Sequence, residues 1–342
     1  MTQPLGIAVI GLGIGEQHAR MYATLPSCKV RLLIDLDTSR AENLARSFPD
    51  SHAGRDLDDA LGRDDIDIVS IASFDDAHFG QVISALSAGK HVFVEKPLCR
   101  TANELAQIKA TLKANESLHL ASNLVLRGAD LYRWLRDEIA AGAFGDIYAF
   151  DGDYLYGRLH KIMEGWRGDT DDYSVMLGGG IHMIDLMLWL TGQRPVSVQA
   201  VGNRICTRGT GFAFDDFTAA TMTFESGMVG RITANFGCVH RHQHVVRLFG
   251  TRKTFIHDDV GPRIMTARDP LEPGHAVAPV EPIGLASKPA HKGALIPAFV
   301  EGIVLKKSSR TAELAAAFDA IAIAAACDEA AAGSCPVQIR YR

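Results

Sequence analysis

LGIAVIGLGIGEQHARMYATL, residues 5–25, decides how the first third of the chain is read. LGIAVIG (5–11) is a short apolar run of strand length, and GEQHARMYATL (15–25) spaces its apolar residues at helical intervals. Between them lies GLGIG (11–15). A strand that turns through glycines into a helix offers backbone N–H groups to an anion, and glycine lets a pyrophosphate approach. The GxGxxG spacing is not met, because position 16 is Glu; Gly11, Gly13 and Gly15 remain, with Ile14 between them. On the glycines alone, a tight turn without a ligand reads the same way.

Working outward, the alternation continues. KVRLLID (29–35) reads as a strand and SRAENLARSF (39–48) as a helix. DIDIVSIAS (65–73), AHFGQVISALSAG (77–89), HVFVE (91–95), ANELAQIKATLKAN (102–115) and SLHLASN (117–123) repeat the pattern. Strands alternating with helices of this length imply βαβ units and a parallel, doubly wound sheet. Asp35 ends the second strand, where a carboxylate accepts hydrogen bonds from an adenosine ribose and repels a 2′-phosphate. Asp35, with Asp37 beyond it, favours NAD over NADP, and Arg40 moderates that preference. Asp35 as a helix-capping residue is the plainer alternative.

HVFVEKPL (91–98) ends a buried strand in Glu95 and Lys96, with Pro97 forbidding continuation. Ligands bind at the carboxyl ends of parallel strands. An ammonium fixed there can hydrogen-bond a substrate hydroxyl and stabilise a developing alkoxide. Lys96-Pro97 is a candidate cis peptide. A solvated lysine at a loop start is the competing reading.

After Asn123 the pattern changes. DLYRWLRDEIAAG (130–142) and IHMIDLMLWL (181–190) have helical spacing, whereas DIYAFDGDYLYG (146–157) alternates with period two. From Pro195 to about Thr266 come β-rich runs with Ser226-Gly227 as a hairpin turn. Residues 268–292 read as a loop, and two closing helices follow, the second with Ala317, Ile321 and Ala324 as a buried seam. The fold class expected is α/β: an N-terminal Rossmann sheet over 1–123, then an α+β domain over 124–342 with a large, mostly antiparallel open sheet.

Composition narrows the function. The 342 residues are 47% hydrophobic and 22% charged, as in a globular protein, and the net charge of −5 leaves no basic footprint for nucleic acid. No apolar run reaches the roughly 18 residues of a membrane span. The first 20 residues lack a basic start, apolar core and cleavage site, so a cytoplasmic setting is expected. Six scattered cysteines form no CxxC, so reduced thiols are expected, without a metal. His240, His242 and His244 alternate, which invites a metal reading, but no carboxylate or cysteine cluster accompanies them.

GLGIGEQHA, SFDDAH (73–78), VEKPL (94–98), EGWRG (164–168) and GGGIHMIDLMLWLTG (178–192) occur in an order that resembles the Gfo/Idh/MocA oxidoreductases. The resemblance covers nearly the whole chain. It implies tightly held NAD(H) or NADP(H), redox chemistry on sugars, sugar nucleotides or cyclitols, and homodimers or homotetramers formed through the C-terminal sheet. Position by position, it implies that Lys96 touches substrate and nicotinamide ribose and that His182 accepts or donates the proton. It also implies that Trp166 and Arg167 lie near the cofactor, that Ser73 and His78 line the nicotinamide half, and that Asn123 stands at the domain junction. Glu95 and Pro97 join the cofactor set with the motif. One departure stands out: the family often has Asp four residues before the histidine, where this chain has Gly178. Asp185, on the same helical face as His182, is one alternative partner, and Asp171 and Asp172 are others.

The expected mechanism places a substrate hydroxyl between Lys96 and His182, the imidazole taking its proton as hydride leaves the same carbon. Tyr154, Tyr156, Arg158, His160 and Lys161 are candidates for the substrate side; Arg158 and Lys161 suit a phosphate or carboxylate, although solvated charges on a loop explain them equally. Two rivals are a dinucleotide-binding sensor without turnover and an oxidoreductase acting on a non-sugar substrate.

Overall fold

The computed structural model describes residues 3–164, 166–168, 170, 172–268 and 279–341. The chain folds into two compact units, Met1–Gly128 with Pro289–Ile321 and Ala129–Lys288 with Ala322–Arg342.

The first unit alternates strand and helix: β1 (Leu5–Ile10), α1 (Gly15–Ala23), β2 (Cys28–Ile34), α2 (Thr38–Ala45), β3 (His52–Gly54), α3 (Asp58–Leu61), β4 (Ile68–Ile71), α4 (His78–Ser87), β5 (His91–Val94), α5 (Ala102–Ala114) and β6 (Leu120–Ser122). The six strands lie in the order β3-β2-β1-β4-β5-β6 and every pair is parallel. This is the Rossmann order, and its reversal between β1 and β4 opens a crevice at the carboxyl ends of those strands. Ile7, Val9, Leu33, Ile68 and Phe93 are fully buried because a parallel sheet is covered on both faces. Helix α5 starts on a capping box, Thr101 accepting from the Glu104 N–H while Glu104 reaches back to the Thr101 N–H.

The expected boundary at 123 leaves the closing helices in the second domain, yet residues 289–321 pack with the first unit. Ile296, Phe299 and Val300 join the core built on Ile7, Val9 and Tyr22. An apolar helical stripe declares that it will be buried, not against which sheet.

The second unit contains α6 (Asp130–Ala140), β7 (Ile147–Leu155), α7 (His160–Met163), a π-helical turn (Met176–Gly180), α8 (Ile181–Thr191), β8 (Pro195–Asn203), β9 (Phe217–Phe224), β10 (Val229–Asn235), β11 (Gln243–Gly250), β12 (Thr254–Asp258), β13 (Gly261–Met265), β14 (Val280–Pro282) and β15 (Val337–Gln338). Among the described residues its nine strands run β14-β13-β12-β11-β7-β10-β9-β8-β15, all neighbours antiparallel except β7 and β10. Gly227 has a φ of 84° in the β9–β10 connection, the left-handed conformation that the expected hairpin needs. Phe150, Gly152 and Tyr154 face inward on β7, and the backbone of Gly152 lies against Met183 of α8.

Five short pieces have no counterpart among the expected elements: β3, α3, α7, the π-turn and β15. None is long enough to show a repeat. The expected loop 268–292 contains β14; residues 269–278 lie outside the described residues. The 240–244 alternation does not hold, because β11 begins only at Gln243. His240 lies in the preceding turn and pairs with Asp259 at 3.0 Å.

Candidate active site

Each glycine of the first turn has a separate reason. A Cβ on Gly11 would sit 2.4 Å from the Ala72 carbonyl oxygen, and its φ is +83°. A Cβ on Gly15 would sit 2.9 Å from Val9 Cγ1, so this glycine lets α1 lie close on β1. At Gly13 the corresponding space is open. Among the described residues, the N–H groups of Gly13 and Ile14 meet no acceptor. The turn is closed instead by the Leu12 N–H, which donates to Asp35 Oδ2 at 2.6 Å. Asp35 Oδ1 accepts from the Asp37 N–H at 2.9 Å, and Arg40 stands 3.8 Å from Asp35. Asp37 accepts from the Arg40 N–H and caps α2. These features fit a dinucleotide: open backbone donors for a pyrophosphate at a helix start, and a fixed carboxylate with spare lone pairs at the ribose position.

At the far end of the crevice edge, β5 delivers the second group. The Lys96-Pro97 peptide is cis, and Lys96 is half-buried. His78 is fully buried, its Nδ1 2.7 Å from Pro97 O and its Nε2 3.2 Å from Ser73 O. It therefore staples the loop after β4 to the Lys-Pro corner. The Ser73 hydroxyl donates to Gln81 at 2.6 Å. Glu95 receives His18 Nε2 at 3.3 Å and Asn123 Nδ2 at 2.6 Å on one oxygen, and the Lys96 N–H at 3.3 Å on the other. Burial pushes this carboxyl up, but His18, Asn123 and Lys96 outweigh it and hold it below the ordinary glutamate value. Asn123 also donates to Lys292 O at 2.7 Å, while its Oδ1 is buried with no partner among the described residues. That acceptor at the end of β6 fits a ligand hydroxyl or amide donor.

The second unit carries the other proposed groups. The π-turn runs without a break into α8, which holds His182 and Asp185, both buried. The His182 ring stacks on Tyr154 at 6.0 Å and meets His244 edge-on at 5.6 Å. Tyr154 also stacks with Tyr156 at 6.0 Å and contacts His242 and Phe236. Burial holds the Tyr154 hydroxyl far above the usual phenol range, so it is protonated at neutral pH. Arg158 lies over Tyr156 at 5.6 Å; His160 and Lys161 are exposed at the start of α7. Arg167 stacks on Trp166 at 4.5 Å and donates from Nε to the Tyr173 hydroxyl at 3.0 Å. Asp172 is exposed; Asp171 lies outside the described residues.

Tyr173 was not among the expected site residues, and His242 and His244, singled out for their alternation, instead pack their rings against Tyr154 at 5.2 and 5.3 Å. A Cβ on Gly178 would sit 2.3 Å from the Tyr173 hydroxyl. The departure at 178 thus has a steric explanation: a phenol occupies the space into which any side chain there would project. Nothing in the local pattern links positions 173 and 178. Among the described residues, no group of three or more His, Cys, Asp or Glu is arranged to hold a metal ion. No helix of the described residues is long and apolar enough to cross a membrane.

A Rossmann unit followed by an open-sheet α+β unit defines a class of dinucleotide-dependent oxidoreductases. The chain belongs to the GFO/IDH/MocA oxidoreductases: residues 5–122 match the family's NAD-binding Rossmann fold and residues 132–256 its C-terminal domain. The expected resemblance and fold class are borne out. An inositol 2-dehydrogenase of Acidothermus cellulolyticus is 32% identical over 200 residues, 58% of this chain and 57% of that protein. The match therefore spans little more than half of that relative's length. A D-glucoside 3-dehydrogenase of Escherichia coli is 28% identical over 245 residues, 69% of this chain and 68% of that protein. The fold is shared with a scyllo-inositol dehydrogenase from Lactobacillus casei, solved with NAD(H) and scyllo-inositol, at a TM-score of 0.77 and 20% identity over 98% of this chain and 99% of that one.

Proposed function

We propose that this protein is an NAD-dependent dehydrogenase or reductase that moves hydride between nicotinamide and a hydroxyl-bearing carbon of a sugar, sugar nucleotide or cyclitol. The observation that carries the reading is the clasp between Asp35 and the glycine turn, in a chain of this family. The carboxylate is held by two backbone N–H groups and keeps lone pairs for ribose hydroxyls. A 2′-phosphate at the same place meets a fixed negative charge, so NAD is preferred over NADP.

The first unit binds the dinucleotide and the second the substrate. When bound, the nicotinamide supplies the hydride acceptor or donor. The residues of the chain do the rest. Lys96 donates a hydrogen bond to the reacting hydroxyl and stabilises the alkoxide character that develops there. His182 takes the hydroxyl proton in oxidation and returns it in reduction. The aromatic surface of Tyr154 and Tyr156 backs the imidazole, and Arg158 and Lys161 select charged substituents. Relatives named for inositol and glucosides point to polyols of that kind. The chain assembles as a homodimer or homotetramer through the sheet of its second unit.

The test has two parts. Mass spectrometry of the purified protein identifies any retained dinucleotide. Absorbance assays then follow NAD reduction with a panel of inositols, glucosides and nucleotide sugars. Lys96→Met and His182→Ala are each expected to lower kcat/KM by about a thousandfold, roughly 4 kcal/mol of transition-state stabilisation. A protein that holds NAD(H) but turns over none of the panel is a sensor or acts on a different substrate class. Full turnover in the double variant sinks the mechanism.

A further inference from the structure

Beneath the Lys96 corner lies a buried polar network that the mechanism above does not use. His18, one turn into α1, is completely buried and meets Phe93 edge-on at 5.3 Å. Its Nδ1 is 3.0 Å from Ser70 Oγ on β4, and its Nε2 is 3.3 Å from Glu95 Oε1. An ionised carboxylate only accepts, so Nε2 carries a hydrogen and the serine hydroxyl is free to donate to Nδ1. Asn123 spends both amide hydrogens on Glu95 and on Lys292 O, which fixes which way its amide points. Glu95 Oε2 accepts the Lys96 N–H. Polar groups from α1, β4, the end of β5 and the end of β6 thus converge on the one residue that precedes Lys96.

Apolar side chains would fill this space without the desolvation that a largely buried carboxylate, 17% exposed, suffers. The network fixes a direction instead. With both oxygens occupied, Glu95 cannot turn without abandoning a donor, and the peptide it grips is that of Lys96. The helix that supplies His18 is the one that opens on the glycine turn. We propose that His18 is a positioning residue: acting through Glu95, it fixes the corner from which Lys96 projects and ties that corner to the helix at the dinucleotide turn. This rests on the reading that the Lys96 ammonium serves the reaction.

The geometry separates two substitutions. His18→Gln places an amide donor where Nε2 stands and keeps the bond to Glu95; His18→Asn reaches only as far as Nδ1 and loses it. Three quantities are read for each: the Kd for NADH by fluorescence, kcat with KM for the best polyol substrate, and the rate at which limiting acetic anhydride acylates Lys96, by peptide mass spectrometry with Lys253 as internal reference. For His18→Asn, kcat falls about tenfold or more while the NADH Kd stays within about twofold, and the acylation ratio of Lys96 moves by at least about threefold. His18→Gln stays within about threefold of the parent in all three. A role confined to packing would move both variants alike and leave the Lys96 ratio unchanged; either outcome overturns the proposal. Should His18→Asn not fold, Glu95→Gln gives the same acylation readout, and an unchanged ratio there overturns it as well. If the parent protein turns over no substrate, the proposed function fails, yet the acylation ratio still decides whether His18 positions Lys96.

Discussion

At the scale of single residues, the site is a matter of what each side chain leaves room for. Gly178 is the sharpest case. Its missing Cβ is the space taken by the Tyr173 hydroxyl, which in turn receives Arg167 Nε. Gly178→Ala therefore overpacks the turn and is expected to destabilise by about 1–3 kcal/mol. The double variant with Tyr173→Ala should cost less than the sum of the two single changes, because the clash is gone once the ring is removed. Urea unfolding of the four proteins measures that coupling; strict additivity would show that the two positions do not compete for space. The places of Asp35 and Lys96 just beyond strand ends were legible from sequence because strand ends in βαβ units are predictable. The roles of Tyr173 and His18, and the packing of His242 and His244 on Tyr154, were not, because each depends on a neighbour distant in the chain or hidden by irregular backbone.

At the scale of elements, one helix end is held by an ionisable group. Leu177 N–H donates to Ser174 Oγ at 2.9 Å, and the Ser174 hydroxyl donates to Asp328 Oδ1 at 2.8 Å. Asp328 thereby anchors the start of the π-turn that continues into α8 and carries His182. Burial pushes the Asp328 carboxyl up to about 7, and the charges of Asp172 and Asp215 push the same way. A folded-state value above that of the unfolded chain means the native protein binds this proton more tightly. The stabilisation is present at acid pH and is lost as pH rises from about 4, the unfolded value, through about 7. Asp328→Asn keeps an acceptor for Ser174 and removes the charge. Its melting temperature is expected to exceed that of the parent at pH 8 by about 3 °C or more and to match it near pH 5. Thermal unfolding by circular dichroism across that range checks it, and parallel curves for the two proteins would exclude Asp328 as the source.

At the scale of the whole molecule, the second unit's sheet uses its two faces differently. Phe150, Gly152, Tyr154, Ala220 and Ile232 face inward. The opposite face carries Asp151, Asp153, Arg231, Thr233 and Arg247, with Asp153 3.0 Å from Arg247 and 2.9 Å from Thr233. Val229 on the same face is 43% exposed and Val201 63% exposed. Apolar residues flanking half-buried ion pairs suit a self-complementary contact. If the chain associates there, Val229→Lys with Arg231→Glu should convert a dimer or tetramer into a monomer. Light scattering after size-exclusion chromatography reads this directly; an unchanged mass for the double variant would place the contact elsewhere.

The amino-acid sequence by itself determined the alternation of strands and helices, the parallel sheet, the glycine turn with its acidic partner, the Glu-Lys-Pro corner and the change of architecture after Asn123. These are local or periodic signals, carried within a few turns of chain, and backbone geometry leaves little choice in how they are met. Only the tertiary structure decided that residues 289–321 return to the first unit, that β7 and β10 run parallel within an otherwise antiparallel sheet, that Tyr173 fills the place above Gly178, and that His18 reaches Glu95. Such pairings depend on which buried surfaces meet after the chain has turned back on itself, and no periodicity along the sequence records them.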